Sequence, residues 1–281
     1  MSVVVYGNCQ TSVIYYNLCK HAYLSINNLQ VVTNDYGGVL LEPMSDSWIA
    51  MLNSCSIFIF QHISHNSSYL SNFSKTNPDV FQFSTDYIIA NILSPDCSKI
   101  CIPSIRFDGL FPFDVYSNLF ASSQHVYGKY PSSNSVILDS VRTALQSGSV
   151  GQLLEHITSD SLFDPLHIQH HFNESLMQLK LSEVHCDVKI YPFVSKFILT
   201  KRLFYTHNHP TELIYCELIN SIFKLINLQV CITVEDVSLT HGQFMQCIHP
   251  STMRCLNLSY GDSLILNTVS DVIITPLQYF Q

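Results

Sequence analysis

Ile57-Phe58-Ile59-Phe60 is an unbroken apolar run too short for an ordinary helix, and it gives way at once to the polar pair Gln61-His62. A strand without alternation is buried on both faces, so the sheet that contains it needs helices on either side. The first third of the chain supplies them. Strands are predicted at Val3–Tyr6, Leu29–Thr33, Ser56–Phe60 and Lys99–Ile102, alternating with helices at Cys9–Tyr23, Met44–Asn53 and Thr85–Leu93. That alternation predicts an α/β fold: a mainly parallel, doubly wound sheet in three layers.

With 281 residues the chain is long enough to bury a large core as a single α/β domain. Its parts are predicted as a sheet core over 1–121, a helical insertion or cap over 134–200, a His-Pro motif with its helix over 201–228, and a short mixed C-terminal extension over 229–281. A polar stretch, Ser122–Asn134, precedes the cap, whose helices are predicted at Val136–Leu145, Val150–Ile157, Ile168–Leu181 and Val188–Leu199. A further helix is expected over Leu213–Ile226, with Pro210 at its start and His209 beside the cap. Strand-like pieces follow at Cys231–Val234, Ser263–Leu266 and Ile273–Thr275.

A net charge of -8, from 13 Lys and Arg against 21 Asp and Glu, argues against a broad nucleic-acid-binding face but allows a local anion pocket. No apolar run approaches the roughly 20 residues of a membrane span, and neither end resembles a cleaved leader, so a soluble cytoplasmic protein is expected. The 10 cysteines are scattered through apolar segments, as reduced packing residues are. Cys97 with Cys101, and His167, His170 and His171, lack the paired spacing of a zinc site, so no metal is expected.

In open α/β sheets, ligands bind beyond the carboxyl ends of the strands. Three polar clusters fall there: Gly7-Asn8-Cys9-Gln10, Gln61-His62-Ile63-Ser64, and Pro103 to Gly109. Cys9, predicted within the first turn of its helix, is the candidate nucleophile, because amide N–H groups and the helix dipole favour a thiolate. The competing reading is a packing cysteine after an ordinary Gly-Asn turn. A thiol nucleophile needs a base, and His62, His207 and His209 are the candidates, with capping or core roles as the alternative. Asn8, Gln10 and Asn208, with the turn amides, are candidates to stabilise an oxyanion or merely to satisfy turn backbone. Arg106, and less strongly Lys201 and Arg202, suit phosphate or carboxylate anchoring.

Gly7-Asn8-Cys9-Gln10, Gln61-His62-Ile63, Ile102 to Gly109 with Pro112, and Thr206-His207-Asn208-His209-Pro210-Thr211 occur in one order between Val3 and Ile226. The ordered set resembles the WcbI family of capsular polysaccharide biosynthesis proteins. The resemblance implies a protein that binds coenzyme A and acts as an acetyltransferase on a sugar of a surface polysaccharide. It places Cys9 in the family's cysteine motif and His209 in its His-Pro motif as catalytic residues, and the reading of the residues themselves adds His62 as a further catalytic candidate. With such a function, Gly7, Asn8, Gln10, Gln61, Asn208 and Ser104 are the candidates for the oxyanion and substrate side, and Arg106, Lys201, Arg202 and His207 for the coenzyme A side. The arrangement also resembles distant SGNH hydrolases, whose sheet is flavodoxin-like. Their early Gly-Asp-Ser block aligns with Gly7-Asn8-Cys9, and their late Asp-x-x-His-Pro block aligns with Thr206 to Pro210. Serine is replaced by Cys9 and aspartate by Thr206, so some other group must orient His209.

Three functions follow as alternatives. The first is an acyltransferase with acyl-coenzyme A, acetyl-coenzyme A above all, as donor and a glycan or nucleotide-sugar as acceptor. The second is an SGNH-like esterase or deacetylase on glycans. The third is a non-catalytic sugar- or nucleotide-binding component of polysaccharide assembly. The segment beyond Leu228 completes the sheet, covers the site or mediates self-association into a homo-oligomer.

Overall fold

A computed structural model describes residues 1–22, 28–33, 40, 43–111, 164–240, 244–245, 248–260, 265–267 and 272–274. The expected polar loop Ser122–Asn134 and the expected helices Val136–Leu145 and Val150–Ile157 lie outside them. The chain groups into two compact units, one of Met1–Ile105, Lys180–Val194 and Glu212–His241, the other of Arg106–Leu179, Ser195–Thr211 and Gly242–Gln281.

The first unit is built on strands β1 (Ser2–Gly7), β2 (Asn28–Thr33), β3 (Ile57–Gln61) and β4 (Ser98–Ile102). They form one parallel sheet in the order β2-β1-β3-β4, with Val5 opposite Val31 and Ile59, and Ile59 opposite Ile100. Helices α1 (Gln10–Ala22), α2 (Asp46–Ser54), α3 (Ser68–Ser71) and α4 (Thr85–Asn91) connect them. Val4, Tyr6, Phe58 and Phe60 share one face with Leu52 of α2 and Ile88 of α4 in a continuous core. Alternation sends Val3, Val5 and Ile59 to the other face, where they too are fully buried. Burial on both faces is what the unbroken apolar runs require.

The buried Tyr6 hydroxyl donates to the Phe83 carbonyl at 2.6 Å, so this aromatic core contains no orphaned phenol. Helix α1 packs on the later helix Glu212–Leu225, which belongs to the same unit. Buried Asn17 locks α1 to the segment that follows. Its Nδ2 donates to the Val13 and Ser238 carbonyls at 2.8 and 2.9 Å, and its Oδ1 accepts from Ser238 N–H at 3.0 Å. The strand expected at Cys231–Val234 is instead irregular backbone running into a 3-10 turn, Val234–Asp236. Asn220 takes the backbone bonds of Ile232 that a ladder would otherwise use, at 2.8 and 2.9 Å.

Helix Glu212–Leu225 is α7, and the second unit holds most of α5 (Pro165–Ser182), the end of α6 (Tyr191–Phe197), the hairpin strands β5 (Phe204–Thr206) and β6 (His209–Pro210), and α8 (Pro250–Cys255). Strands β7 (Phe244–Met245), β8 (Ile265–Asn267) and β9 (Val272–Ile274) form a small antiparallel sheet, close to two of the three expected tail strands. Phe107 anchors the unit's aromatic cluster, stacked on Phe204 at 5.3 Å and edge-on to Phe172 at 5.6 Å. Among the described residues no helix is long and apolar enough to cross a membrane.

Asn17→Ala strands the N–H and C=O of Ser238 in a part-buried position, so it is expected to lower the unfolding free energy by about 2–4 kcal/mol. Urea unfolding measures the loss, and a change below about 0.5 kcal/mol overturns the role assigned to this amide.

Candidate active site

The order β2-β1-β3-β4 makes the chain turn to opposite sides after β1 and before β3, and ligands bind at such a switch point. The segment after β1 that lies there is Asn8-Cys9. Cys9 is not in the helix, as the apolar spacing predicts, but in the turn just ahead of Gln10. The reason is Asn8. Its Oδ1 accepts from Gln10 N–H at 2.9 Å, and its carbonyl accepts from Thr11 N–H at 2.9 Å and Thr11 Oγ1 at 2.7 Å. This side-chain turn satisfies the first helical donors and leaves Cys9 half-buried at the apex.

Two buried glutamines clamp that turn. Gln61 Oε1 accepts from Asn8 N–H at 2.9 Å, while Gln61 Nε2 donates to Gln10 Oε1 at 3.0 Å and to the Pro103 carbonyl at 3.2 Å. Gln10 Nε2 donates to the Ile105 carbonyl at 2.7 Å, and Gln10 Oε1 accepts from Ile105 N–H at 3.0 Å. Asn8 Nδ2 reaches Ser104 Oγ at 3.0 Å. The carboxyl ends of β1, β3 and β4 are thereby joined through side-chain amides, which are 2% and 3% exposed at Gln10 and Gln61. Gly7 is obligatory, because a Cβ there collides with Gln61 Oε1 and sits 2.8 Å from Thr11 Cγ2.

Tyr215 on α7 carries no obvious sequence signal beyond its place in an apolar helix. It is buried, burial pushes its phenol well above the usual range, and negative charge at Cys9 adds to the rise. Both effects favour its protonated form.

His62, beyond β3, is half-exposed and its Nε2 lies 3.0 Å from Asp86 Oδ1. Asp86 Oδ2 accepts His65 N–H at 2.9 Å, and this bond holds its carboxyl below the usual range, with His62 contributing in the same direction. Asp86 sits in the first turn of α4, a partner that spacing alone does not reveal.

In the second unit, His209 and Pro210 do not open a helix but form β6, paired with β5 through Phe204–Pro210 and Thr206–His209. Thr211 N–H donates to the Leu203 carbonyl at 2.9 Å, which keeps the chain extended until α7 begins at Glu212. An acidic first turn suits a helix start better than a histidine cap. Thr206 Oγ1 is 3.0 Å from Asn208 Oδ1 and 3.0 Å from His209 Nδ1. The hydroxyl has one proton, and the carbonyl oxygen of Asn208 can only accept it. Thr206 then accepts Nδ1–H from His209, which leaves Nε2 as the basic nitrogen.

The Arg106 loop docks on the same hairpin, with Phe107 N–H donating to the His207 carbonyl at 2.7 Å. Arg106 Nη2 lies 3.3 Å from Asp108 Oδ2, and Asp108 Oδ1 accepts from Ser175 Oγ at 2.8 Å. Burial works to raise the Asp108 carboxyl, but the Ser175 bond and the charges of Arg106 and His171 outweigh it and hold the group low. Arg202 Nε donates to the Phe204 carbonyl at 3.3 Å, and Lys201 lies 5.0 Å from the Phe197 ring centre. Among the described residues no three His, Cys, Asp or Glu side chains converge as metal ligands. His170 reaches Glu174 at 3.3 Å and His171 the Asp108 carbonyl at 3.0 Å.

Gly7→Ala is expected to destabilise the protein by about 1–3 kcal/mol, and Gln61→Ala added to it to cost less than Gln61→Ala alone, because the clamp is already broken. Additive losses in denaturant unfolding overturn the clamp. For Asp108 the folded value is depressed, so its stabilising contribution is complete above the carboxyl range and lost as pH falls through it. The stability gap between wild type and Ser175→Ala is therefore expected to be about 1.5–3 kcal/mol near neutrality and to narrow in acid. A pH-independent gap in urea titrations contradicts that assignment.

The model of the family named polysaccharide biosynthesis enzyme WcbI matches residues 2–230. No curated protein matches. A solved structure of WcbI, described as a novel polysaccharide biosynthesis enzyme in native form without a disulfide bond between coenzyme A and a cysteine, superposes with a TM-score of 0.64. That likeness covers 99% of this chain and 87% of the other at 17% identity. With the family's match reaching from β1 through the cysteine turn, the His-Pro hairpin and α7, the chain belongs to the WcbI family of polysaccharide biosynthesis enzymes.

Proposed function

We propose that this protein is an acyltransferase that moves an acyl group, acetyl above all, from acyl-coenzyme A to a sugar hydroxyl during polysaccharide biosynthesis. The observation that carries the reading is the clamped turn that presents Cys9 at the carboxyl end of a central strand, at the sheet's switch point. The strand order also supports a doubly wound sheet of the flavodoxin and SGNH type. The likeness to a structure whose description pairs coenzyme A with a cysteine supports the donor. A coenzyme A donor in turn supports the cytoplasm as the place of work.

Roles are assigned from each unit's own geometry. In the first unit, the Cys9 thiolate attacks the thioester carbonyl and the coenzyme A thiolate leaves, forming an acyl-Cys9 thioester. The backbone of the Asn8-Cys9 turn, with Asn8 and Ser104, stabilises the intervening oxyanion, while Gln10 and Gln61 act by holding that turn in place. In the second unit, Thr206 sets His209 with Nε2 as the base that takes the proton of the acceptor hydroxyl, as the alcohol oxygen displaces the Cys9 sulfur. In the direct route the acceptor attacks the donor itself, His209 acts unchanged, and the Cys9 turn serves only the oxyanion. His62, paired with Asp86, is the alternative base. Arg106 is the first candidate for the donor phosphates, with Lys201, Arg202 and His207 as further contacts.

Calorimetric titration with coenzyme A and acetyl-coenzyme A tests the donor. Micromolar binding is expected, weakened about tenfold by Arg106→Ala. Mass spectrometry is expected to find an acetyl group on Cys9 that Cys9→Ala abolishes, and His209→Ala is expected to slow transfer by about 100-fold or more. No binding at millimolar ligand overturns the donor. Full transfer by Cys9→Ala overturns the covalent route in favour of the direct one, and acetate release without coenzyme A replaces the transferase with an esterase.

A further inference from the structure

Two thiol pairs in the first unit lie outside the machinery assigned above. Cys55 and Cys97 have sulfurs 3.4 Å apart, and Cys101 and Cys186 have sulfurs 3.8 Å apart. Their surroundings differ. Cys55 and Cys97 are both buried, and burial together with the Cys97 contact pushes the Cys55 thiol up to about 12, where it stays protonated and inert. Cys101 lies on β4, opposite Phe60 of β3, with Cys186 alongside in a half-exposed turn.

The backbone holds the second pair in register. Cys101 N–H donates to Asp187 Oδ2 at 2.7 Å, and Asp187 N–H donates to the Cys101 carbonyl at 2.8 Å. The Cys186-Asp187 segment therefore lies along the outer edge of β4, the last strand of the sheet. Contact with Cys186 brings the Cys101 thiol down to about 7, burial and Asp187 oppose the shift, and the His62 charge and its backbone assist it. Around Cys186, the Cys101 contact and burial raise the thiol, Glu183 adds to the rise and Lys189 opposes it. One sulfur is thus a ready nucleophile and its neighbour a thiol that keeps its proton.

We propose that Cys101 and Cys186 form a dithiol–disulfide site that reacts with small hydroperoxides and is reopened by thiols. Cys101 thiolate attacks a peroxide oxygen, the O–O bond breaks, and the hydroxide released takes a proton to become water. With the Cys101 charge gone, the main opposition to ionising Cys186 is removed, and its sulfur attacks the sulfenic sulfur of Cys101 as it gives up its proton. Its proton joins the departing hydroxyl as a second water, and the disulfide forms. Two thiols are oxidised by two electrons as one hydrogen peroxide is reduced to two waters. Closing the bond requires the sulfurs to approach by about 1.8 Å, and the half-exposed turn that carries Cys186 can supply that movement. A small oxidant suits the site because Cys101 itself is largely covered. The site is independent of the coenzyme A reading.

The test uses the full-length reduced protein treated with hydrogen peroxide at neutral pH, blocked with iodoacetamide and mapped as non-reduced peptides. A Cys101–Cys186 cross-link is expected to form at least about tenfold faster than any Cys55–Cys97 cross-link, and dithiothreitol is expected to reverse it. In Cys186→Ser the cross-link is expected to vanish and Cys101 to be trapped as a sulfenic acid by dimedone. Both cysteines still alkylated at a peroxide dose that oxidises Cys9, a different pairing, or Cys186→Ser without a dimedone adduct at Cys101 overturns the proposal. If Cys186→Ser does not fold, the wild-type map alone decides.

Discussion

The interlocked side-chain amides of Gln10 and Gln61 are the constraint on which the first unit's reactive end depends. A parallel sheet fixes its strands only as far as the ladder runs, and the loops beyond the last ladder bonds diverge. Here two buried amides carry the connection past that point. Gln61 on β3 holds Asn8 and Pro103, while Gln10 on α1 holds both polar groups of Ile105. Buried amides without partners are costly, so a satisfied pair specifies one arrangement of three loops at once. The clamp also explains Gly7, whose missing side chain is the space that Gln61 occupies.

In the second unit, Thr206 holds His209 through a hydroxyl, and a hydroxyl differs in chemistry as well as in geometry from the carboxylate that orients the catalytic histidine of serine hydrolases. A carboxylate orients a histidine and also stabilises its positive charge. Thr206 keeps the first task, because its single proton goes to Asn208 and its lone pair accepts Nδ1–H. It carries no charge with which to perform the second. Under the proposed transfer this matters little, because a thioester's thiolate leaves readily and needs little protonation.

Much of the sheet was legible in the sequence because burial on both faces writes itself as uninterrupted apolar residues. Ile57 to Phe60 and Val3 to Tyr6 announce their strands without knowledge of their neighbours. Local signals misled where a polar side chain redirected the backbone. Asn8 moved the start of α1 past Cys9, and the Thr206–His209 bond turned an expected helix start into a hairpin. Gln10 and Gln61, expected on the oxyanion and substrate side because both follow strands, also bond Asn8, Pro103, Ile105 and each other. Such a role is visible only once three loops are placed together. Asp86 beneath His62, Tyr215 beside Cys9 and Cys186 beside Cys101 are likewise partners from distant segments, and no spacing rule within one segment points to them.

The first unit thus holds thiols in three environments set by burial and backbone rather than by any cysteine motif. Cys9 is raised on a turn at a strand end, Cys55 is buried against a second thiol, and Cys101 lies where His62 favours its charge. One residue type therefore offers a candidate nucleophile, a packing group and the proposed redox pair within a single unit. What separates these roles is how each neighbourhood treats negative charge on sulfur, since the thiolate is the reactive form. Lys99 and Lys189 favour the thiolates of Cys55 and Cys186, yet burial and the neighbouring thiol outweigh them, so the local packing and not the nearest cation decides which sulfur ionises.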